Sequence, residues 1–171
     1  MVKLIGAILI VAVTTWIGFE LAKKYSDRPK QLRQLKAALQ SLEAEIMYGH
    51  TPLYEAMESI AHLSKAPLSV FFQSFSKRLQ EGASSVKDAW KSSLDEVWPQ
   101  TALRKEEYEI LRQFGETLGQ HDRESQQKYI KLAIHHLEKE EKDARDNQHK
   151  YEKMMRSLGF LLGLLLIILL V

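Results

Sequence analysis

DRESQQKYIKLAIHHLEKEEKDARDNQHKYEKMMRSLGFLLGLLLIILLV, the last fifty residues, Asp122–Val171, decides how the chain is read. Between Gly119 and Gly159 there is neither glycine nor proline, so nothing in the stretch ends a helix. Asp122 is placed to cap it, with Arg123 opening the first turn. Tyr129, Ile130, Ala133, Leu137 and Ala144 form a narrow apolar stripe. Glu138 to Lys153 is charged almost all round, and Leu158 to Val171 is apolar apart from Gly159 and Gly163. One helix that starts in water and ends in a membrane accounts for all three parts. At 1.5 Å per residue it is about 75 Å long, more than a small domain spans. It is therefore expected to stand partly clear of the domain, which packs on its first half. Leu137, Ala144, Tyr151 and Leu158 recur every seven residues. That thin seam suits contact with the cytoplasmic extension of the first apolar segment or with another copy.

The opposite end of the chain is also apolar. Leu4 to Phe19 is broken only by Gly6, Thr14, Thr15 and Gly18. As a secretory leader cut after Ala22 it would put Glu20 where a small residue is wanted, so it reads as a retained transmembrane helix. The second apolar segment covers only about 21 Å of a 30 Å hydrocarbon core. Met154, Met155 and a snorkelling Arg156 extend it. Lys23, Lys24, Arg28, Lys30, Arg33 and Lys36 follow the first segment, and Lys142, Arg145, Lys150, Lys153 and Arg156 precede the second. The positive-inside rule then puts the middle of the chain in the cytoplasm and both termini outside. The division expected is a transmembrane helix over 1–22, a cytoplasmic helical bundle with a charged stalk over 23–153, and a transmembrane helix over 154–171. Glu20 reads as a boundary residue beside Lys23 and Lys24; the sharper alternative is an intramembrane functional carboxylate. Gly159 and Gly163 form a G-x-x-x-G pair for close helix packing, on the first span or on another protomer.

In the middle of the chain, apolar residues repeat at three and four. Pro29 can start a helix to Tyr48, with Leu32, Leu35, Leu39, Leu42 and Ile46 on one face. Gly49 stops it; Thr51 caps the next, with Pro52 at its first position and Leu53, Ala56, Met57, Ile60 and Leu63 inward. Pro67 starts a third, with Leu68, Phe71, Phe72, Phe75 and Leu79. After Gly82, Ser84 or Ser85 caps a fourth, with Asp88 completing a capping box with Ser85. Val86, Ala89, Trp90, Leu94 and Val97 line that helix. Trp98-Pro99 breaks it. A fifth runs from about Thr101 to Leu118 and closes at Gly119. The fold class expected is all-α: a six-helix cytoplasmic bundle flanked by an N-terminal and a C-terminal transmembrane helix, the last helix continuous into the membrane.

The chain has no cysteine and a net charge of +2, which leaves no disulfide, no thiolate chemistry and no overall nucleic-acid signature. No phosphate loop or nucleophile elbow is present. Of the six histidines, His136 shares a helical face with Glu140. Two ligands without a third favour a solvated charged face over a metal site. Pairs such as Glu138–Lys142, Glu141–Arg145 and Asp146–Lys150 explain the charged run. The residues alone point to no enzyme, cofactor or metal.

Two corners are solved alike. Gly49-His50-Thr51-Pro52-Leu53-Tyr54-Glu55-Ala56 and Gly82-Ala83-Ser84-Ser85-Val86-Lys87-Asp88-Ala89 share the pattern G-x-[ST]-x-[LV]-x-x-A. The second corner with Trp90, together with Phe114-Gly115-Glu116-Thr117-Leu118-Gly119, resembles two elements of the cytoplasmic helical domain of the F-type platform proteins of type II secretion and type IV pilus systems. It departs from them by one extra residue before Val86, by Trp90 in place of leucine, and by Gln120-His121 where the second element has its final leucine. Platform proteins have two such domains. One domain between two spans resembles instead a sporulation family of endospore-forming bacteria. That resemblance implies a subunit of a transenvelope channel between mother cell and forespore. It also implies a neighbouring secretion-type ATPase in the mother-cell cytoplasm and other sporulation-channel membrane proteins as partners, with a homo-oligomer possible. Gly49, Thr51, Gly82, Ser84, Gly115, Glu116, Gly119, Gly159 and Gly163 are the structural and interaction candidates. A membrane-tethered helical adaptor or regulator without a secretion role is the alternative reading.

Overall fold

A computed structural model describes the backbone of 2–49, 51–82, 85–120 and 122–170, and the side chains of 23–49, 51–82, 85–120, 122–151 and 154. Among the described residues there are six α-helices: α1 (Val2–Tyr48), α2 (Leu53–Leu63), α3 (Leu68–Gln80), α4 (Val86–Val97), α5 (Lys105–Thr117) and α6 (Arg123–Leu170). A 3₁₀ turn, Trp98–Gln100, follows α4. Among the described residues there is no strand. Among them, too, no helix is long and apolar enough to cross a membrane. The spans expected over 1–22 and, apart from Met154, 154–171, with Glu20, Gly159 and Gly163, lie outside the residues whose side chains are described.

The first correction concerns Pro29, which does not start a helix. It lies inside α1, which runs unbroken from Val2 to Tyr48. A proline in a helix interior has no N–H to give the carbonyl one turn back and costs about 3 kcal/mol. Here the residues on either side are fixed by tertiary contacts. Tyr25 stacks on Tyr151 with ring centroids 4.5 Å apart, and the buried Arg28 pairs with Glu107 and Glu140. Those contacts outweigh the local signal. The expected stripe Leu32, Leu35, Leu39 and Leu42 is buried, with Ile46 half-buried beyond it.

The seam of α6 meets the partner it suits: α6 runs antiparallel along α1, the extension of the first apolar segment, as the ion pairs Lys36–Glu141 and Lys131–Glu43 fix. Ile130, Ala133, Leu137 and Ala144 are buried against the core, while Tyr129 lies at the edge of the stripe and is 37% exposed. Asp122 caps the helix as expected, its carboxylate accepting the Ser125 N–H.

The corners come out differently from one another. Gly82 (φ +79°) and Gly119 (φ +76°) are left-handed, as helix-terminating glycines commonly are. Gly49 is not: its N–H closes on the Glu45 carbonyl at 2.8 Å, and a Cβ there would meet that oxygen at 2.5 Å. Thr51 does not cap α2. Its hydroxyl donates to the Glu45 carboxylate at 2.8 Å, and the residue flanking the helix is Pro52, whose carbonyl accepts the Ala56 N–H. Ser85 does cap α4, accepting the Asp88 N–H at 3.0 Å; Ser84 lies outside the described residues. Leu63, the last residue of α2, is 82% exposed rather than inward, so the helical period runs one step past the packed surface. The fifth helix starts at Lys105 instead of near Thr101, because Thr101 is tied back into the 3₁₀ turn by a hydrogen bond from its hydroxyl to the Trp98 carbonyl.

Trp90 is the hub of the short helices. Its ring meets Phe71, Phe75 and Phe114 edge-on at 4.8, 5.1 and 5.4 Å, and its indole N–H donates to the Leu111 carbonyl at 2.8 Å. The aromatic run is packed core, as its spacing implies. The ring lies directly over Gly115, where a Cβ would come within 2.1 Å of it. Gly115→Ala is therefore expected to cost about 3 kcal/mol by overpacking and to disturb the near-UV circular dichroism. Gly82→Ala meets nothing within 4 Å and costs only the left-handed strain, about 1–2 kcal/mol, with that spectrum kept. Equal melts and unaltered spectra for both variants would refute the distinction.

Candidate functional site

Two constellations stand out once the helices are placed. The first joins the two corner elements. Along antiparallel α4 and α5, Val86 lies 3.5 Å from where a Cβ on Gly119 would be, and Trp90 fills the space that Gly115 leaves. Between them Lys87 pairs with Glu116 at 3.7 Å, and Glu116 is held at 2.7 Å by Arg112. Gly115, Glu116 and Gly119 thus belong to one packed interface, with Gly82 at the exposed corner ahead of α4 and Gly49 and Thr51 apart at the α1–α2 corner. These are residues of close approach and turn geometry. None presents a reactive group to a cleft.

The second constellation is where the paired long helices meet the bundle. Arg28 on α1 is 4% exposed and Glu107 on α5 is fully buried. Arg28 Nε donates to Glu107 Oε1 at 2.8 Å, and its Nη2 reaches both Glu107 and, at 2.9 Å, Glu140 Oε2 on α6. Glu107 Oε2 in turn accepts the Arg104 N–H at 2.6 Å, capping the start of α5. One guanidinium therefore joins α1, α5 and α6, and every charge in the cluster has a hydrogen-bonded partner, which burial of ions requires. Next to it Gln31 Oε1 accepts the Ala102 N–H and ties α1 to the segment leading into α5.

The next residue of α6, Glu141, is 4% exposed. Lys36 donates to it at 3.0 Å, Arg33 lies 3.7 Å away, and Arg145 closes the expected i,i+4 pair. Glu138 pairs across to Lys36 at 3.3 Å, where the sequence suggested Lys142. Burial disfavours the Glu141 carboxylate, but the hydrogen bonds from Lys36 and Arg145 outweigh it and hold the group below the usual range. Beside the cluster an open groove of about 380 Å³ is bordered by Arg104, Glu106, Glu140, Asp143 and Asn147.

Arg28, Glu107 and Glu140 had no motif to mark them. The one available signal was position: Arg28 lies four residues before Leu32, on the extension of an apolar stripe. Glu140, read as a partner of His136, is engaged by Arg28 instead. Among the described residues no group of three metal-binding side chains exists. The cluster can hold three helices at a fixed angle; it has no nucleophile, and its carboxylates are committed to cations.

Arg28→Met leaves Glu107 buried without its cation and is expected to cost about 3–5 kcal/mol. Adding Glu107→Gln, which removes the orphaned charge but keeps an acceptor for Arg104 N–H, is expected to recover much of that loss. A single variant within 0.5 kcal/mol of the parent, on the order of an ordinary surface change, would show the cluster to be unimportant. For Glu141 the folded-state pKa is lowered, so its contribution is present above the ordinary glutamate value of about 4.3 and is lost as pH falls below it. The melting temperature is expected to drop between neutral pH and pH about 3.5, and by less in Glu141→Gln. An equal drop in both would refute the assignment.

The family model described as stage III sporulation protein AB matches residues 3–171. Stage III sporulation protein AB of Bacillus subtilis (strain 168) is 61% identical over 170 residues, which is 99% of each chain. A solved structure of stage III sporulation protein AB (SpoIIIAB) superposes with a TM-score of 0.70 at 58% identity, covering 72% of this chain and 98% of that one. The chain belongs to the stage III sporulation protein AB family.

Proposed function

We propose that the chain is a non-enzymatic platform subunit of a secretion-like transenvelope channel complex in sporulation. It couples a secretion-type ATPase in the cytoplasm to components in the membrane and beyond. In this reading residues 1–22 and 154–171 span the mother-cell membrane facing the forespore, residues 23–153 lie in the cytoplasm, and both termini face outward. The likeness of the Gly82 and Gly115 elements to the F-type platform domain supports a platform role, and the family supports its place in sporulation.

The observation that carries the reading is mechanical. α1 and α6 are continuous helices that run from the bundle to the threshold of both apolar ends. They are joined by Tyr25–Tyr151, Lys36–Glu141 and Glu43–Lys131. Arg28 fastens that pair to α5. A displacement of the bundle would therefore be passed to both ends together. A simple tether needs no buried cross-tie, whereas a platform that transmits the work of an ATPase does.

Capture of the full-length chain from membranes of sporulating cells is expected to retain a secretion-type ATPase and other channel proteins. Arg28→Met is expected to keep the protein in the membrane yet lose sporulation. Capture without the ATPase, even after cross-linking, together with normal sporulation in Arg28→Met, would favour the adaptor reading. For the topology, a cysteine at the exposed Lys128 should resist an impermeant thiol reagent in intact cells and react once the membrane is opened. Rapid labelling in intact cells would reverse the orientation.

A further inference from the structure

We propose that the solvent-facing side of α1 between Ala37 and Tyr48 is the surface on which two copies of the chain pair side by side, with both stalks pointing the same way. The pairing stands whether or not the apolar ends lie in a membrane, and it does not rest on the platform reading.

Ala37, Gln40, Ala44 and Tyr48 are all exposed, Tyr48 by 81%. At 100° per residue they fall within about 80° of one another. That places them opposite Leu35, Leu39 and Leu42, which are buried. Steps of three, four and four are those of a helix that meets another helix. None of the four is charged, although 27% of the chain is, so covering this face strips no ion of its water. The alanines let a second backbone come close, and tyrosine is a residue that interfaces favour.

The two edges of the face carry opposite charge. On the α6 edge Lys131 is exposed and lies 3.6 Å from Glu43, and Lys128 is exposed with no ion pair among the described residues. On the α2 edge stand Glu45, which holds the corner by accepting the Thr51 hydroxyl, and the exposed Glu55 and Glu58. Between Lys36 and Lys65 the sequence has neither lysine nor arginine, so no cation of this segment neutralises them. The edges stand at one height. Lys131 is level with Glu43, and α2 begins beside the last turn of α1.

These charges choose between two ways of pairing. A two-fold axis along α1 lays the α6 edge of each copy on the α2 edge of the other, so that Lys128 and Lys131 meet glutamates twice over. An axis across α1 would turn one copy end for end and set lysine edge on lysine edge and glutamate edge on glutamate edge. Like charge opposes that arrangement, and the parallel one is selected. In it both stalks leave in one direction, as two chains held in one membrane must.

The chain has no cysteine, so single introduced cysteines are read without background. In the full-length protein, Ala37→Cys and Ala44→Cys are each expected to give disulfide-linked dimers on mild oxidation, because in a parallel pair a residue on the axis faces its own copy. The two sites are about 10 Å apart along the helix, so an end-for-end pair links at one of them at most. Ser92→Cys, exposed on α4, should stay reduced. By sedimentation the parent should be a dimer. Lys128→Glu with Lys131→Glu should make it monomeric, as should Glu55→Lys with Glu58→Lys, and all four changes together should restore the dimer. Near-UV circular dichroism checks that each variant is folded; where a reversal unfolds the chain, the cysteine variants decide. A monomeric parent, a dimer indifferent to both reversals, or a folded fourfold variant that stays monomeric would overturn the proposal. So would linking at only one of the two alanines, or equal linking at Ser92→Cys.

Discussion

A guanidinium removed from water is the constraint on which the architecture turns. Arg28 is nearly inaccessible, and the cost of burying it is several kcal/mol unless charge and hydrogen bonds are supplied in place. Glu107 and Glu140 supply them from two other helices. The angle at which the long pair meets α5 is therefore not free. A small rotation of α5 would lengthen the Glu107 contact and strip the cap from the Arg104 N–H in the same movement. Apolar packing tolerates sliding; a buried, fully satisfied ion cluster does not. It gives the bundle one orientation on the stalk, and it explains how α1 stays helical through Pro29.

A second fixed point lies in the body of the bundle. Trp90 reaches α3 through Phe71 and Phe75, and α5 through Phe114 and the Leu111 carbonyl. It reaches that far because Gly115 has no side chain. The glycine is inside α5, where it costs about 1 kcal/mol relative to alanine. The close approach of an indole, with its hydrogen bond and three edge-on ring contacts, offsets that cost. The two family-like elements are thus two halves of one contact: Gly82 and Ser85 aim α4, while Gly115 and Gly119 open α5 to receive it.

Much of this was legible in the chain. Apolar spacing placed all six helices and most of the core, from Leu32 to Ala144, because periodicity is a property of each helix alone. Gly82 and Gly119 were readable because left-handed backbone selects glycine. The misreadings came where tertiary contacts decide. Pro29 carried the local signature of a helix start, and contacts to Glu107, Glu140 and Tyr151, far along the chain, overrode it. Thr51 had the chemistry of a cap but found the Glu45 carboxylate nearer. Glu138 to Lys153 is charged almost all round, and only its thin heptad seam pointed to the first segment's extension, which is the partner it finds. Nor could local pattern join Arg28 to Glu107, since a charged residue announces neither burial nor partner.

The charges along the α1–α6 pair also settle how it differs from an isolated charged helix. Pairs within one helix stabilise that helix by a few tenths of a kcal/mol each and leave it able to rotate about its axis. Lys36 with Glu138 and Glu141, and Glu43 with Lys131, run between the helices instead. They oppose rotation and sliding of one helix on the other. Ala144, buried with a small side chain, lets the backbones come close there. Two helices so joined resist bending more than either alone, because bending the pair must stretch one while compressing the other. In the proposed platform this stiffness belongs to the pair, with Arg28 at its base. Loosening any one contact would soften the stalk, whereas removing Arg28 would disconnect it from the bundle.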